Sequence, residues 1–140
     1  MNNEILEPSN DGRMWATLCH LSGFLGSIFP FGNIIGPLVL WMMKKNEYPL
    51  VNVEGKESLN CQLSYTLYTI IWGLVGLLSF TGFVFSSGSH PSKGFYPVLI
   101  TYAILGFAML VTYIISIIVA AIKTSNGKTF RYPLIIRFIK

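Results

Sequence analysis

Charge is scarce in this chain. Of its 140 residues ten are Lys or Arg and six are Asp or Glu, 11% together, where soluble domains carry about a quarter. Residues 14–43, 58–92 and 94–122 contain no acid, lysine or arginine at all. A chain this short cannot hide three such blocks in one aqueous core, because a small domain leaves roughly 40% of its surface wet. An ordinary water-soluble domain is excluded. Cysteine is scarcer still: Cys19 and Cys61, each within or at the edge of a block, suggest neither a disulfide framework nor a four-ligand zinc site and read as buried, inert thiols. Gly-x-Ser-x-Gly, a glycine-rich phosphate loop, His-Glu-x-x-His and paired carboxylates at depth are all missing. Catalysis therefore finds no footing, and no cofactor or metal is expected. The start of the chain has Glu4, Glu7 and Asp11 before Arg13, unlike the positive start of a secretory signal. The first block is expected to be retained.

What is present is hydrophobic: 52% of residues, gathered in blocks that each exceed the ~20 residues an α-helix needs to cross about 30 Å of hydrocarbon. The sequence reads as an all-α integral membrane bundle of about four helical segments. Residues 1–12 form a polar tail and 13–140 a single membrane domain, in which 124–140 is an interfacial segment. The second block reads as a helix over 58–85, residues 86–91 carry turn chemistry, and a second helix runs from Tyr96 or Pro97 to Ile122. The pair makes a transmembrane hairpin. On it Ser58, Gln62, Tyr65, Thr66, Thr69, Gly73 and Gly76 share one stripe, and Tyr102, Gly106, Met109, Tyr113, Ser116 and Ala120 another. A turn centred near Ser89 sets Gly73 level with Gly106 and Gln62 level with Ser116. Small residues there admit close backbone approach and polar ones bond across, as helices in lipid associate.

The first block is broken by Pro30, Gly32, Asn33, Gly36 and Pro37, so one straight helix is not expected. A helix from about Asp11, as N-cap, to Phe29 is followed by another from Gly36 or Pro37 to Lys45. Two arrangements fit: a re-entrant hairpin tipped at residues 30–33, which is preferred, or one kinked crossing. A break at depth is tolerated only where protein covers it.

The net charge of +4 sets orientation and implies no nucleic-acid partner, since the basic residues flank the apolar blocks. Lys123, Lys128, Arg131, Arg137 and Lys140 follow the last helix, Lys44 and Lys45 the first block, and Lys93 stands alone between the other two. The C-terminus is expected in the cytoplasm and the Lys93 loop outside. Aromatic and aliphatic residues interleave with cations over 129–140, which suits a segment lying beside anionic lipid.

His20 is the titratable residue deep in the first block, on one face with Ala16, Cys19, Gly23 and Ser27. An ionisable group in a membrane segment is a functional-site candidate by default; the blander reading is a neutral imidazole bonded to Asn60 or Gln62. His90 sits in the outer turn. Glu54, Lys56 and Glu57 lie beside Asn60 and Gln62 where the second helix enters lipid, and suit capping and anchoring or reception of a partner. The candidate sites are thus His20, Asn60, Gln62, Glu54 and Glu57, with Gly23, Gly73, Gly76, Gly106 and Ser116 for packing.

Four runs of residues are familiar. They are Trp-Ala-Thr-Leu-Cys-His-Leu-Ser-Gly at 15–23, Asn-Ile-Ile-Gly-Pro-Leu-Val-Leu-Trp at 33–41 with Lys44 and Lys45, Glu-Gly-Lys-Glu-Ser-Leu-Asn-Cys-Gln at 54–62, and the stretch from Gly127 through Tyr132 and Pro133 to Lys140. From residue 13 onward the chain resembles a family of small bacterial membrane proteins of unknown function, described as similar to the Tic-twenty component of the chloroplast inner-envelope import machinery. Cys61 stands where such proteins often have Phe. The resemblance implies a multi-pass bundle in the bacterial plasma membrane, in contact with lipid and with a membrane-protein partner or further copies of itself. It suggests a structural or interaction subunit linked to protein translocation. Two alternatives are a minimal homo-oligomeric transporter or channel, using the polar stripe and His20, and an immunity protein against a membrane-active peptide.

Overall fold

The structure is a computed structural model that describes residues 8–87 and 95–140. Among the described residues it is all-helical: α1 (Asn10–Leu21), a 3-10 helix (Ser22–Ser27), α2 (Gly32–Lys44), α3 (Pro49–Ser87) and α4 (Phe95–Ser125). The expected turn at residues 86–91, with His90, and the loop bearing Lys93 lie largely outside the described residues.

α1 begins one residue before Asp11, because Ser9 and not Asp11 is the cap: its Oγ accepts from the Gly12 N–H at 3.1 Å. Asp11 falls instead in the first turn, where a negative charge suits the helix dipole. After Leu21 the chain tightens into the 3-10 helix, where Ser22 and Ser27 hydroxyls bond the carbonyls of Cys19 and Phe24. Phe31 then takes the left-handed conformation (φ 61°) and turns the chain into α2. This helix starts at Gly32, four residues before the sequence suggested. Pro37 is thus inside it, at the cost of one backbone bond. The returning hairpin is confirmed by how the arms meet. A Cβ on Gly36 would lie 2.9 Å from the Ser22 carbonyl oxygen, and one on Gly26 would lie 2.8 Å from Asn33 Cβ. At the open end Lys44 Nζ sits 5.3 Å over the Trp15 ring.

α3 starts nine residues earlier than expected, with Pro49 in the first turn, where its missing N–H is no loss. The presumed connector is therefore helix. Gly55 makes this register fit, since a Cβ there would meet Trp41 Cβ at 2.8 Å.

The contacts divide the chain into two compact units, one of residues up to 65 together with 115–140, the other of 66–114. In the first, Ala16, Cys19, Val51, Leu59, Ile117 and Ala120 are buried, but so are His20, Glu54, Ser58, Asn60, Gln62, Ser64 and Thr124. In the second, the Trp72 and Tyr102 rings stack at 4.0 Å and the Tyr102 hydroxyl donates to the Trp72 carbonyl. Gly76 lies under Tyr102 and Gly106 under the Trp72 indole. That is the expected register, with the helix rotated by one residue. Gly73 consequently does not pack: it is exposed, with nothing within 4 Å of where its Cβ would be.

Polarity is distributed inside out. α3 and α4 are long and apolar enough to cross a membrane, and of their most apolar 18-residue stretches 0% and 11% is buried. Leu78 is 70% exposed and Phe85 89%. Core helices of soluble proteins bury such stretches; these face outward, as a lipid solvent requires. The chain is a helical membrane protein.

Candidate functional site

The polar interior of the first unit centres on His20. The buried face of α1 is made of small residues, Gly12, Ala16 and Cys19, which let α3 approach closely. Across that contact His20 Nε2 lies 3.0 Å from Glu54 Oε2, both side chains wholly buried. Thr124, near the end of α4, donates to the same oxygen at 3.3 Å, and the Phe130 N–H donates to Oε1 at 3.0 Å. Both oxygens of Glu54 thus receive donors, the arrangement that suits a carboxylate. The Tyr132 oxygen is 2.9 Å from His20 Nδ1. One proton assignment satisfies every group: Nε2–H donates to Glu54 and the Tyr132 hydroxyl donates to Nδ1. Beside this network Ser58 Oγ donates to the Cys19 carbonyl at 2.7 Å. Withdrawing a carboxylate from water costs several kcal/mol, which hydrogen bonds to a charged group, about 1.5–3 kcal/mol each, offset.

Glu54 and Tyr132 occupy opposite edges of the imidazole. Their oxygens share no vertex with it, so the cluster is a hydrogen-bonded chain and not a ligand set. Among the described residues no group of three His, Cys, Asp or Glu side chains is placed to hold a metal.

The end of the chain covers this cluster. α4 closes with the Gly127 and Lys128 N–H groups on the Thr124 and Lys123 carbonyls, Gly127 taking φ 74°, a Schellman ending that glycine permits. Residues 129–140 then fold back as a strap with a bend at Pro133 and Leu134 (φ 59°). Asn60 holds Ile139 by both its backbone groups, at 2.8 and 2.9 Å. Ser64 does the same for Ile136, at 2.8 and 3.2 Å. Lys56 Nζ donates to the Lys140 carbonyl at 2.9 Å, and Arg137 Nε to Glu57 Oε1 at 3.3 Å.

These positions revise several expectations. His20 pairs with Glu54, not with Asn60 or Gln62. Glu54 is core and does not cap the helix at the lipid surface, because α3 starts upstream of it. Asn60 and Glu57 hold the strap. Gln62 is buried against Gly23, where an added Cβ would collide with its amide, and Asn33 Nδ2 approaches its Oε1 at a long 3.5 Å. Ser116 is half-buried on α4. Segment 129–140 does not simply lie at a headgroup surface: Tyr132 is 4% exposed and the backbone is tied to α3, although Leu134, Ile136 and Phe138 face outward. Lys128, Arg131, Arg137 and Lys140 are exposed. Other expected interfacial cations lie on aromatic rings, Lys45 over Trp41 at 4.5 Å and Lys123 over Phe130 at 5.1 Å. Lys44 is held above the ordinary lysine range, chiefly by its 2.6 Å bond to Glu47.

Sequence reasoning missed Ser64, Thr124 and Tyr132 as site residues, and placed Ser58 on the polar stripe without its partner on α1. A legible signal existed for Ser64: it follows Lys56 and Asn60 at four-residue intervals on one helix face.

A model of the magnetosome magnetite crystal formation protein family (MamF/MmsF) matches residues 11–139. The chain belongs to this family. No curated protein and no solved structure matches it. The family match overturns the resemblance to Tic-twenty-like proteins, since it takes in nearly all of the four runs on which that resemblance rested. With it the suggested link to protein translocation loses its support. In this member of the magnetite crystal formation family, the buried chain from Tyr132 through His20 to Glu54 and Thr124 joins α1, α3, α4 and the strap.

Proposed function

We propose that this chain is a non-enzymatic structural and interaction subunit of a bacterial membrane, and that it serves magnetite crystal formation as the family's name describes. The observation that carries the reading is the enclosed His20–Glu54–Tyr132 chain, whose groups are spent on one another. Such a network fixes the relative placement of four segments, which favours a rigid membrane platform over a conduction path. The cations at 44, 45, 123, 128, 131, 137 and 140 support a cytoplasmic C-terminus by the positive-inside rule. A subunit of this kind shapes a crystal through the membrane and the proteins it gathers, without ligating iron itself.

The decisive experiment is complementation in a magnetite-forming bacterium lacking its own family member. Restored crystal size and number, lost again with His20→Ala at equal membrane abundance, is the expected result. Crystals that remain defective with the wild-type chain present in the membrane would overturn the proposal. Topology is checked separately by thiol labelling of Leu134→Cys from either side, where labelling from outside intact cells refutes the cytoplasmic C-terminus.

A further inference from the structure

The strap has two faces. Its inner face is spent on its own chain: Phe130, Tyr132, Ile136, Ile139 and the Lys140 carbonyl bond in turn to Glu54, His20, Ser64, Asn60 and Lys56. Followed along α3, these anchors run from residue 54 out to residue 64 and return through 60 to 56. The strap is therefore a loop laid on the helix. At 1.5 Å per residue its turn, at Ile136, lies about 10 Å beyond the height of Glu57.

That height is the edge of the hydrocarbon. Glu57 is the last charged residue of α3 before the uncharged block that begins at Ser58. On α4 the first charge after the block is Lys123, and its neighbour Thr124 is bonded to Glu54, so both helices meet water at one level. The strap starts and ends at this boundary and dips its middle toward the acyl chains.

Its outer face is sorted by the same depth. Residues 129–140 carry Arg131, Arg137 and Lys140 and no acid; these three and Lys128 before them are exposed. The acids that the strap meets, Glu54 and Glu57, are buried, so its outward charge is positive. Arg137 follows Ile136 at the deep turn, yet its Nε returns to Glu57 Oε1 at the boundary, as the head of a long cation reaching out of hydrocarbon does. The exposed apolar side chains, Leu134, Ile136 and Phe138, lie around the turn. Leu134 takes left-handed backbone at φ 59°, which costs an L-residue energy, and the outcome is an isobutyl group 91% exposed. In water that is a liability; 5–10 Å into a bilayer boundary, the usual depth of an interfacial apolar face, it is solvated by lipid.

We propose that the outer face of the strap is a binding site for an acidic phospholipid, with the phosphodiester headgroup held by Lys128, Arg131, Arg137 and Lys140 and the upper acyl chain lying on Leu134, Ile136 and Phe138. A lipid bound there presses the strap onto α3 and so keeps Tyr132 on His20. This goes beyond the interaction role proposed above by giving the strap a lipid partner, and it rests on the chain's placement in a membrane.

The test uses the full chain in mild detergent, offered an equimolar mixture of phosphatidylglycerol and phosphatidylcholine, with the retained lipids counted by native mass spectrometry. The expected result is enrichment of phosphatidylglycerol by at least about fivefold, the attraction of a single cation to an acidic surface. Lys128→Gln/Arg131→Gln/Lys140→Gln leaves every strap bond named above in place and should bring retention near parity. Lys44→Gln/Lys45→Gln/Lys123→Gln removes the same charge from cations seated over aromatic rings and should keep most of the enrichment. Equal losses in the two variants would reduce the effect to general surface charge and overturn the site. Parity in the wild-type chain would overturn it as well, leaving the cations to a water-soluble acidic partner. A second measurement reads the strap directly, through hydrogen exchange of the Ile136 and Ile139 amides that donate to Ser64 and Asn60. In nanodiscs of phosphatidylglycerol these amides should exchange about fivefold more slowly than in nanodiscs of phosphatidylcholine, and the strap triple variant should show no such difference. Identical exchange of the wild-type chain in both lipids refutes the proposal. Both measurements read lipid binding alone, so their failure is distinguishable from failure of the crystal-formation assay.

Discussion

The unit of residues 66–114 and the unit that contains His20 draw on the same two helices but hold together by different means. In residues 66–114 the helices meet through rings and glycines, the Trp72–Tyr102 stack over Gly76 and Gly106 and the Phe83–Phe95 stack at 4.2 Å. Dispersion and one hydroxyl suffice there, since lipid tails offer no hydrophobic drive to bring helices together. The other unit is keyed by buried polar groups on α1, α3, α4 and the strap. Aromatic packing tolerates small slippage, whereas a carboxylate with three donors accepts one arrangement. The unit that must bring four segments to one place is the one built on hydrogen bonds.

The largest test of this contrast is His20→Ala. It leaves Glu54 buried without its partner and should cost about 3 kcal/mol, read as early loss of amide protection in α1 and residues 50–64 by hydrogen exchange. Amides of residues 68–85 should keep theirs; equal loss in both units would show one cooperative body and erase the distinction. Gly36→Ala comes next. Its Cβ meets the backbone of Ser22, and overpacking of this kind costs about 2 kcal/mol, visible as a lower melting temperature in detergent with α1 and α2 affected first. A direct comparison then pits Tyr132→Phe against Tyr102→Phe. The first removes a bond to a buried imidazole and should cost about 1 kcal/mol, the second nearer the ~0.6 kcal/mol average of side-chain bonds inside membranes; denaturation titrations giving the reverse order would contradict the assignment of polar keying to the first unit. Smallest is Gly73→Ala, expected to raise stability by up to about 1 kcal/mol through helix propensity, because nothing stands where the methyl group goes. A loss there in the same titration would mean that Gly73 is covered in the bilayer.

Much of this architecture was legible in the chain. Uncharged blocks longer than a bilayer crossing announced the membrane, the Pro/Gly interruptions announced a broken first pair, and the pairing of Trp72 with Gly106 falls where a turn near Ser89 sets it. Gly73 was misplaced because a register fixes heights along two helices and leaves their rotation free by one residue, about 100°. The start of α3 was misread because Val51, Asn52, Val53 and Gly55 weaken local helix propensity, which burial of Val51 and Glu54 overrides.

The sequence by itself determined the solvent and the number of helical pieces, because hydrophobic length and helix-breaking residues act locally and can be read one segment at a time. The site was decided by tertiary structure. His20, Glu54, Thr124 and Tyr132 lie 34, 70 and 8 positions apart along the chain, and nothing local marks them as partners. Close approach of α1 and α3 and the reversal of the chain after Gly127 bring them together, and the cost of burying a charge without donors then makes that meeting specific.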